Sequence, residues 1–392
     1  MNTQGGPPAS RRPGRRRLAA VSPALESKTL STQPARTPAV LLLLLLFTLP
    51  AHAATFRVFG SAGAESQRTP ANEASPLNPH NIADIPMQTN VADFSLFTEA
   101  ATESRAWKVR LKLRGDASDR ADEHLTVGEA FVQIRATQWL DLSAGRVIEK
   151  WGTGYGWSPT AFAGPTKNPN DPNDRRSQYS GIEMLRAGLF IKNTSVSLYA
   201  LNHGAFAARA YRLIGGTDVS VAWRHDRDGS RAGISASRVV GDALEIHAEA
   251  ARIGAVTQVV AGAQYTIGDT NVVAEIYHGT DGLTRGEWNA FREAAPDDLR
   301  TANHAYAPLK MARTYSLVRV FHDFAPWKTD AELVAITSLR DGSVLLRASV
   351  TRRIRPSVSA YLIATEFFGG AESELAFIQV TRVTTLGVRV HF

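Results

Sequence analysis

Among its 392 residues the chain has no cysteine. That excludes disulfides, thiolate metal sites and cysteine nucleophiles, and it agrees with an exported protein that does not rely on disulfides. A helix-length apolar run is also lacking. The longest one, residues 39–49 with an unbroken stretch from Leu41 to Leu46, falls short of the ~20 residues that a helical membrane span needs. Catalytic signatures are missing too. There is no Gly-x-Ser-x-Gly, His-Glu-x-x-His or phosphate loop, and His203, His225, His247, His278, His304 and His322 stand in no catalytic spacing, so no enzymatic activity is expected. A lasting excess of one charge is likewise absent. The formal net charge is +7, but seven of the 44 basic residues and one of the 37 acidic residues lie in the first 53 positions, leaving 37 and 36. The rest of the chain is close to neutral, which gives no support to nucleic-acid binding.

The first 53 residues read as a signal peptide with a long basic n-region (Arg11, Arg12, Arg15, Arg16, Arg17). The apolar run is followed by Ala51-His52-Ala53, small residues at the two positions that a signal peptidase reads, so cleavage is expected to leave Ala54 first. From residue 105 onward, one short alternating segment follows another. Trp107, Val109, Leu111 and Leu113 alternate with Lys108, Arg110, Lys112 and Arg114; Leu244, Ile246 and Ala248 alternate with Glu245, His247 and Glu249. Period-2 patterning with turn residues such as Gly268-Asp269 and Asp341-Gly342 between the segments predicts strands that are apolar on one face and polar on the other. Such strands are too numerous, and helices too few, for a soluble chain of this length split into covered sheets. The expected fold is all-β: one transmembrane antiparallel β-barrel of about 16 to 18 strands over residues 54–392. Residues 60–90, rich in Ala, Ser, Pro and Asn, read as an extended connection.

The final segment TLGVRVHF sets Leu386, Val388, Val390 and Phe392 against Gly387, Arg389 and His391. It resembles the closing strand of Gram-negative outer-membrane proteins, whose terminal aromatic is read by the barrel assembly machinery. Residues 145–190 carry a second resemblance, to uncharacterised porin-like outer-membrane families in which a Gly-Arg-x4-Trp-Gly element precedes an Asn-Pro and Asp-Pro rich loop. The matching positions are Gly145, Arg146, Trp151, Gly152, Gly154, Tyr155, Trp157, Pro159, Lys167, Pro169, Asp171 and Pro172. The resemblance implies an outer-membrane location and a porin-like class, with lipid and the assembly machinery as partners. Because no energy-coupling motif or plug is visible in the sequence, passive passage of small polar solutes is expected, and the basic row Lys108 to Arg114 adds an anion bias as a finer expectation. The other reading is a barrel serving a lipid or envelope-assembly and export pathway.

Two stretches are the candidate sites. Residues 145–181 form a long loop without regular structure, and loops of that length are usually functional. Its Arg146, Trp151, Tyr155, Trp157, Lys167, Asp171, Asp174 and Arg175 are candidates to line a constriction if the loop folds into the lumen, while an external loop is the other possibility. The row Lys108, Arg110, Lys112, Arg114, together with Glu245, His247 and Glu249, is expected on the lumen wall, because the reverse would put charges against lipid. Two roles stay open for it: an anion track, or a solvated network with Glu129, Glu245, Glu249 and Glu275. Asn168, Asn170, Asp171, Asn173 and Asp174 offer oxygens but miss the EF-hand spacing, so neither metal nor cofactor is expected. Residues 287–295 predict a short amphipathic helix within a second long connection, residues 279–309.

Overall fold

The computed structural model describes residues 54–102, 106–171, 174 and 178–392. The leader, residues 1–53, and Arg175 lie outside the described residues. Eighteen antiparallel strands close into one barrel. In chain order they are β1 (Ala54–Arg68), β2 (Gln88–Thr102), β3 (Trp107–Ser118), β4 (Ala121–Thr137), β5 (Leu140–Val147), β6 (Ile182–Ile191), β7 (Thr194–Leu201), β8 (Phe206–Ile214) and β9 (Thr217–Asp226). The second half comprises β10 (Gly229–Val240), β11 (Leu244–Ile253), β12 (Val256–Ile267), β13 (Thr270–Gly279), β14 (Thr314–Phe324), β15 (Thr329–Ser338), β16 (Val344–Arg355), β17 (Val358–Phe368) and β18 (Arg382–His391). Every strand pairs with its sequence neighbours, and β18 pairs with β1 over the register Ser61↔His391 to Arg68↔Thr384, which closes the cylinder. Closure removes the two unpaired edges that an open sheet would carry, a condition for backbone inside hydrocarbon.

Alternation sorts the side chains as the pleat requires. One exposed apolar residue after another faces outward around the wall: Leu185, Leu198, Val221, Ile234, Ile246, Ile276, Val318, Leu333, Val350, Leu362 and Leu386. Their neighbours along each strand face the lumen and are polar or small, for example Ser197, Ser220, Ser235, His247, Glu275, Arg319 and Arg347. Trp139, Tyr265 and Trp327 are exposed beside the short turns, as an interfacial aromatic belt requires. Tyr277 and Tyr361 stand on the opposite, inward face.

The two ends of the barrel differ. Connections at one end, which we call the turn end, have four residues or fewer; the long ones, residues 69–87, 148–181, 280–313 and 369–381, all lie at the other, the loop end. An even strand number brings this about. Four strands (β2–β5), eight (β6–β13) and four (β14–β17) separate successive long connections, so all of them open at the same end. The departure from the sequence expectation lies at residues 60–90. This stretch is not one extended connection: residues 60–68 complete β1, residues 88–90 begin β2, and only residues 69–87 form a loop. Its Ala, Ser and Gly residues alternate too weakly in hydrophobicity to announce strands.

Candidate functional site

The loop of residues 148–181 leaves β5 at the loop end and turns into the barrel. Trp151 is buried edge-on against Tyr199 of β7, with ring centroids 5.2 Å apart. With Phe162 and Ala163 it packs on Ala205, Ala207, Ala222 and Ala251, inward residues small enough to leave room for an inserted segment. Further along, Trp157 stacks on Tyr277 at 5.2 Å and Tyr315 at 6.3 Å. Asp171 meets Arg347 of β16 at 3.5 Å, and Lys112 of β3 donates to the Tyr179 carbonyl at 3.0 Å. The segment therefore touches widely separated parts of the wall and divides the lumen.

Two wall carboxylates fasten it. Glu249 of β11 accepts hydrogen bonds from the backbone N–H groups of Thr153, Gly154 (2.6 Å) and Thr160 (3.1 Å) and from the Thr160 hydroxyl (2.7 Å). Glu275 of β13 accepts from the N–H groups of Tyr155 and Gly156 (2.8 Å) and lies 2.8 Å from His247 Nε2. Four successive amides, 153 to 156, thus point at two carboxylates, a charge-assisted arrangement stronger than neutral pairing. Lys167 returns to the Gly154 carbonyl and completes the clasp. Gly152 permits this turn. Its φ is +82°, and a Cβ there would sit 2.6 Å from a Glu249 oxygen and 1.9 Å from Ser158 Oγ, so neither conformation nor space admits a side chain.

The basic row on β3 faces the lumen and is largely engaged. Arg110 pairs with Glu99 at 2.6 Å and lies 3.8 Å from Glu129; Arg114 pairs with Asp116 at 2.7 Å. Lys108 lies over the Phe131 ring at 5.4 Å. Across the barrel, Arg319 pairs with Glu332 at 2.5 Å, donates to Asn271 at 2.9 Å and sits over the Tyr155 ring at 5.0 Å, while Arg347 is 3.8 Å from Glu332. Arg389 pairs with Asp93 at 2.8 Å. Cations and carboxylates alternate around the wall in mixed networks.

At the loop end three long connections pack into a lid. The 280–313 connection contains α1 (Arg285–Ala294), opened by a capping box between Thr284 and Glu287, and α2 (Leu299–Ala305), opened by Asp298. Trp288 and Ala302 from these helices bury against Leu77 of residues 69–87 and Phe377 of residues 369–381. Glu374, fully buried, accepts from Leu309 N (2.6 Å), Met311 N (3.4 Å) and Tyr315 Oη (2.8 Å), with Arg340 3.7 Å away. Burial pushes its carboxyl above the usual carboxylate range, against the opposing pull of Tyr315 and Arg340.

Of the loop residues singled out in the sequence, the structure brings Tyr155, Trp157, Lys167 and Asp171 into the lumen. Trp151 is buried behind the loop, anchoring it. Asp174 caps its own turn, accepting from Gln178 N and Tyr179 N. Arg146 is not part of the loop. It is the penultimate residue of β5 and points outward, paired with Glu183 at 3.0 Å. Glu245 stands half-buried on the inward face of β11, one step toward the turn end from His247. Among the described residues no group of three or more His, Asp or Glu side chains is placed to hold a metal ion. Sequence reasoning missed Arg319, Glu332 and Glu374. The first two carried a signal, since each sits at an inward position of an alternating strand; Glu374 lies in a loop and carried none.

No family model matches the sequence, and no curated protein matches it. Among solved structures, the chain is similar to OccK11 (OpdR) of Pseudomonas aeruginosa, with a TM-score of 0.56 at 10% identity over 86% of this chain and 96% of the other. OccK5 (OpdH) of the same organism gives 0.55 at 8% identity, over 87% and 98%. Engineered variants of Rhodopseudomonas blastica porin give 0.48 at up to 14% identity, over 86% and 100%. At such identities the likeness to the two Pseudomonas barrels establishes a shared fold and nothing finer.

Proposed function

We propose that the protein is a porin-like channel of the outer membrane that passes small polar solutes passively, with residues 148–181 as its constriction. The observation that carries this reading is the inward loop clasped to the far wall by Glu249 and Glu275. A segment pinned by buried carboxylates has one fixed position, and a fixed obstruction in a polar lumen selects by size and polarity. The lipid-export reading would favour a lateral opening, whereas β1 and β18 are joined over eight register pairs. In this reading residues 1–53 direct export, and the barrel assembly machinery inserts the chain. Short turns then face the periplasm, and the lid faces outward. The β3 row acts mainly as a wall network with Glu99, Glu129 and Asp116, so any anion bias is modest.

Refolded residues 54–392 in a planar bilayer test the proposal. Stepwise currents are expected, and their absence would overturn the channel reading. Removing both clasps in E249A/E275A is expected to raise the single-channel conductance. Each buried amide of residues 153 to 156 left without its acceptor costs about 1–3 kcal/mol, enough to release this part of the loop from the far wall. An unchanged conductance would show that the loop does not set the pore.

A further inference from the structure

The lid and the inserted loop are not separate bodies. One continuous apolar cluster contains Leu309, Leu375 and Ile378 from the lid, Tyr315, Leu317, Val334, Ile336 and Leu345 from the wall, and Tyr155 and Trp157 from the tip of the loop. A polar chain runs through the same place. Glu374 holds the two lid segments together by accepting from Leu309 N and Met311 N, and it accepts from the Tyr315 hydroxyl, which itself accepts from Ala312 N at 2.6 Å. The Tyr306 hydroxyl donates to the Glu374 carbonyl at 2.9 Å. On its other side the Tyr315 ring stacks on Trp157. From outside to inside, the sequence of contacts is lid carboxylate, wall tyrosine, loop tryptophan, and then the Tyr155 and Gly156 amides on Glu275.

We propose that Glu374 and Tyr315 are positioning residues for the constriction, so that the external lid holds the loop tip from above while Glu249 and Glu275 hold its backbone from the side. The proposal rests on the reading of residues 148–181 as the constriction. Its physical basis is that packed clusters have discrete arrangements and do not deform continuously. A lid whose under-surface is gone leaves Tyr315 and Leu317 facing water, and the Tyr315 ring that stacks on Trp157 loses the Glu374 hydrogen bond that holds it in place. Loosening at Glu374 is therefore felt at a loop that Glu374 does not touch.

The chain has no cysteine, so a single N170C reports the loop by its alkylation rate whether or not current flows. In refolded protein, E374A is expected to raise that rate by roughly fivefold, the factor that a loss of order 1 kcal/mol in local stability gives, and to raise the single-channel conductance. E374Q, which keeps a neutral acceptor, is expected to match the parent. E293A, on the exposed side of α1, is the control and is expected to change neither readout. Y315F removes only the hydroxyl bridge and keeps the ring; it is the milder variant should E374A not refold, with the same direction and a smaller effect. An N170C rate unchanged in the refolded variants overturns the coupling, even if the channel reading stands. A raised rate in a protein that passes no current upholds the coupling and defeats the channel reading instead.

Discussion

A buried or half-buried charge on the lumen wall matters through what it is paired with. Arg110 and Arg114 each have a carboxylate within 2.7 Å, and Lys112 lies in register with Glu129. Substituting the whole row, K108Q/R110Q/K112Q/R114Q, leaves Glu99, Glu129 and Asp116 without their cations, and a wall of uncompensated carboxylates attracts cations. Reversal potentials in asymmetric salt are expected to move toward cation preference. The complementary E99Q/E129Q/D116N should move them the other way, and no shift in either variant would place this wall outside the ion path. The inward direction of the four cations was legible, because period-2 alternation leaves them only one face that is not lipid. Their partners were only partly legible. Glu129 is one hairpin away, but the anchors of the loop lie 89 to 120 residues from the groups they hold, a separation that no local pattern encodes. Arg146 shows the opposite failure: it lies inside a family-like motif, and the strand alternation that turns it outward overrides the motif's association with the loop.

At the scale of the element, the seam between β1 and β18 is the least regular-looking in sequence and among the most constrained in space. Gly60 and Phe392 exchange both backbone hydrogen bonds, at 2.8 and 3.1 Å, and the Phe392 ring lies over the glycine. A Cβ on Gly60 would meet the Ser95 carbonyl at 2.4 Å and the ring at 2.8 Å. The ring can rotate away; the carbonyl belongs to the β2 backbone and cannot. G60A is therefore expected to destabilise the barrel by about 1–3 kcal/mol, the usual range for overpacking, read as a lower urea midpoint for the heat-modifiable folded band on gels. G60A/F392A should recover only part of that loss; full recovery would mean that the ring alone fills the space. The closing strand was plain from its alternation. Its partner was not, because β1 carries Gly60, Ser61, Ala62, Gly63 and Ala64 in a row, side chains too small to show a two-residue period. A glycine and alanine run in a barrel sequence thus marks a place where another chain segment approaches closely, not a linker.

For the molecule as a whole, the decisive asymmetry is that every long connection emerges from one end. A cylinder with apolar residues outward on every side is symmetric toward lipid, so orientation in the membrane must come from the ends, where a lid of three packed connections faces turns of four residues or fewer. Outer-membrane barrels carry short turns on the periplasmic side and longer loops outside, and here one end has only short turns while every long connection lies at the other. The lid is thus expected outside and the turns in the periplasm. Because the chain is free of cysteine, single substitutions read this without background. A290C lies on the exposed face of α1, and D269C in the turn between β12 and β13. A membrane-impermeant maleimide applied to intact cells should label A290C and spare D269C until the outer membrane is opened. The reverse pattern would invert the barrel and place the lid in the periplasm, where Glu374 and Tyr315 would meet cargo leaving the cell before it reached the constriction.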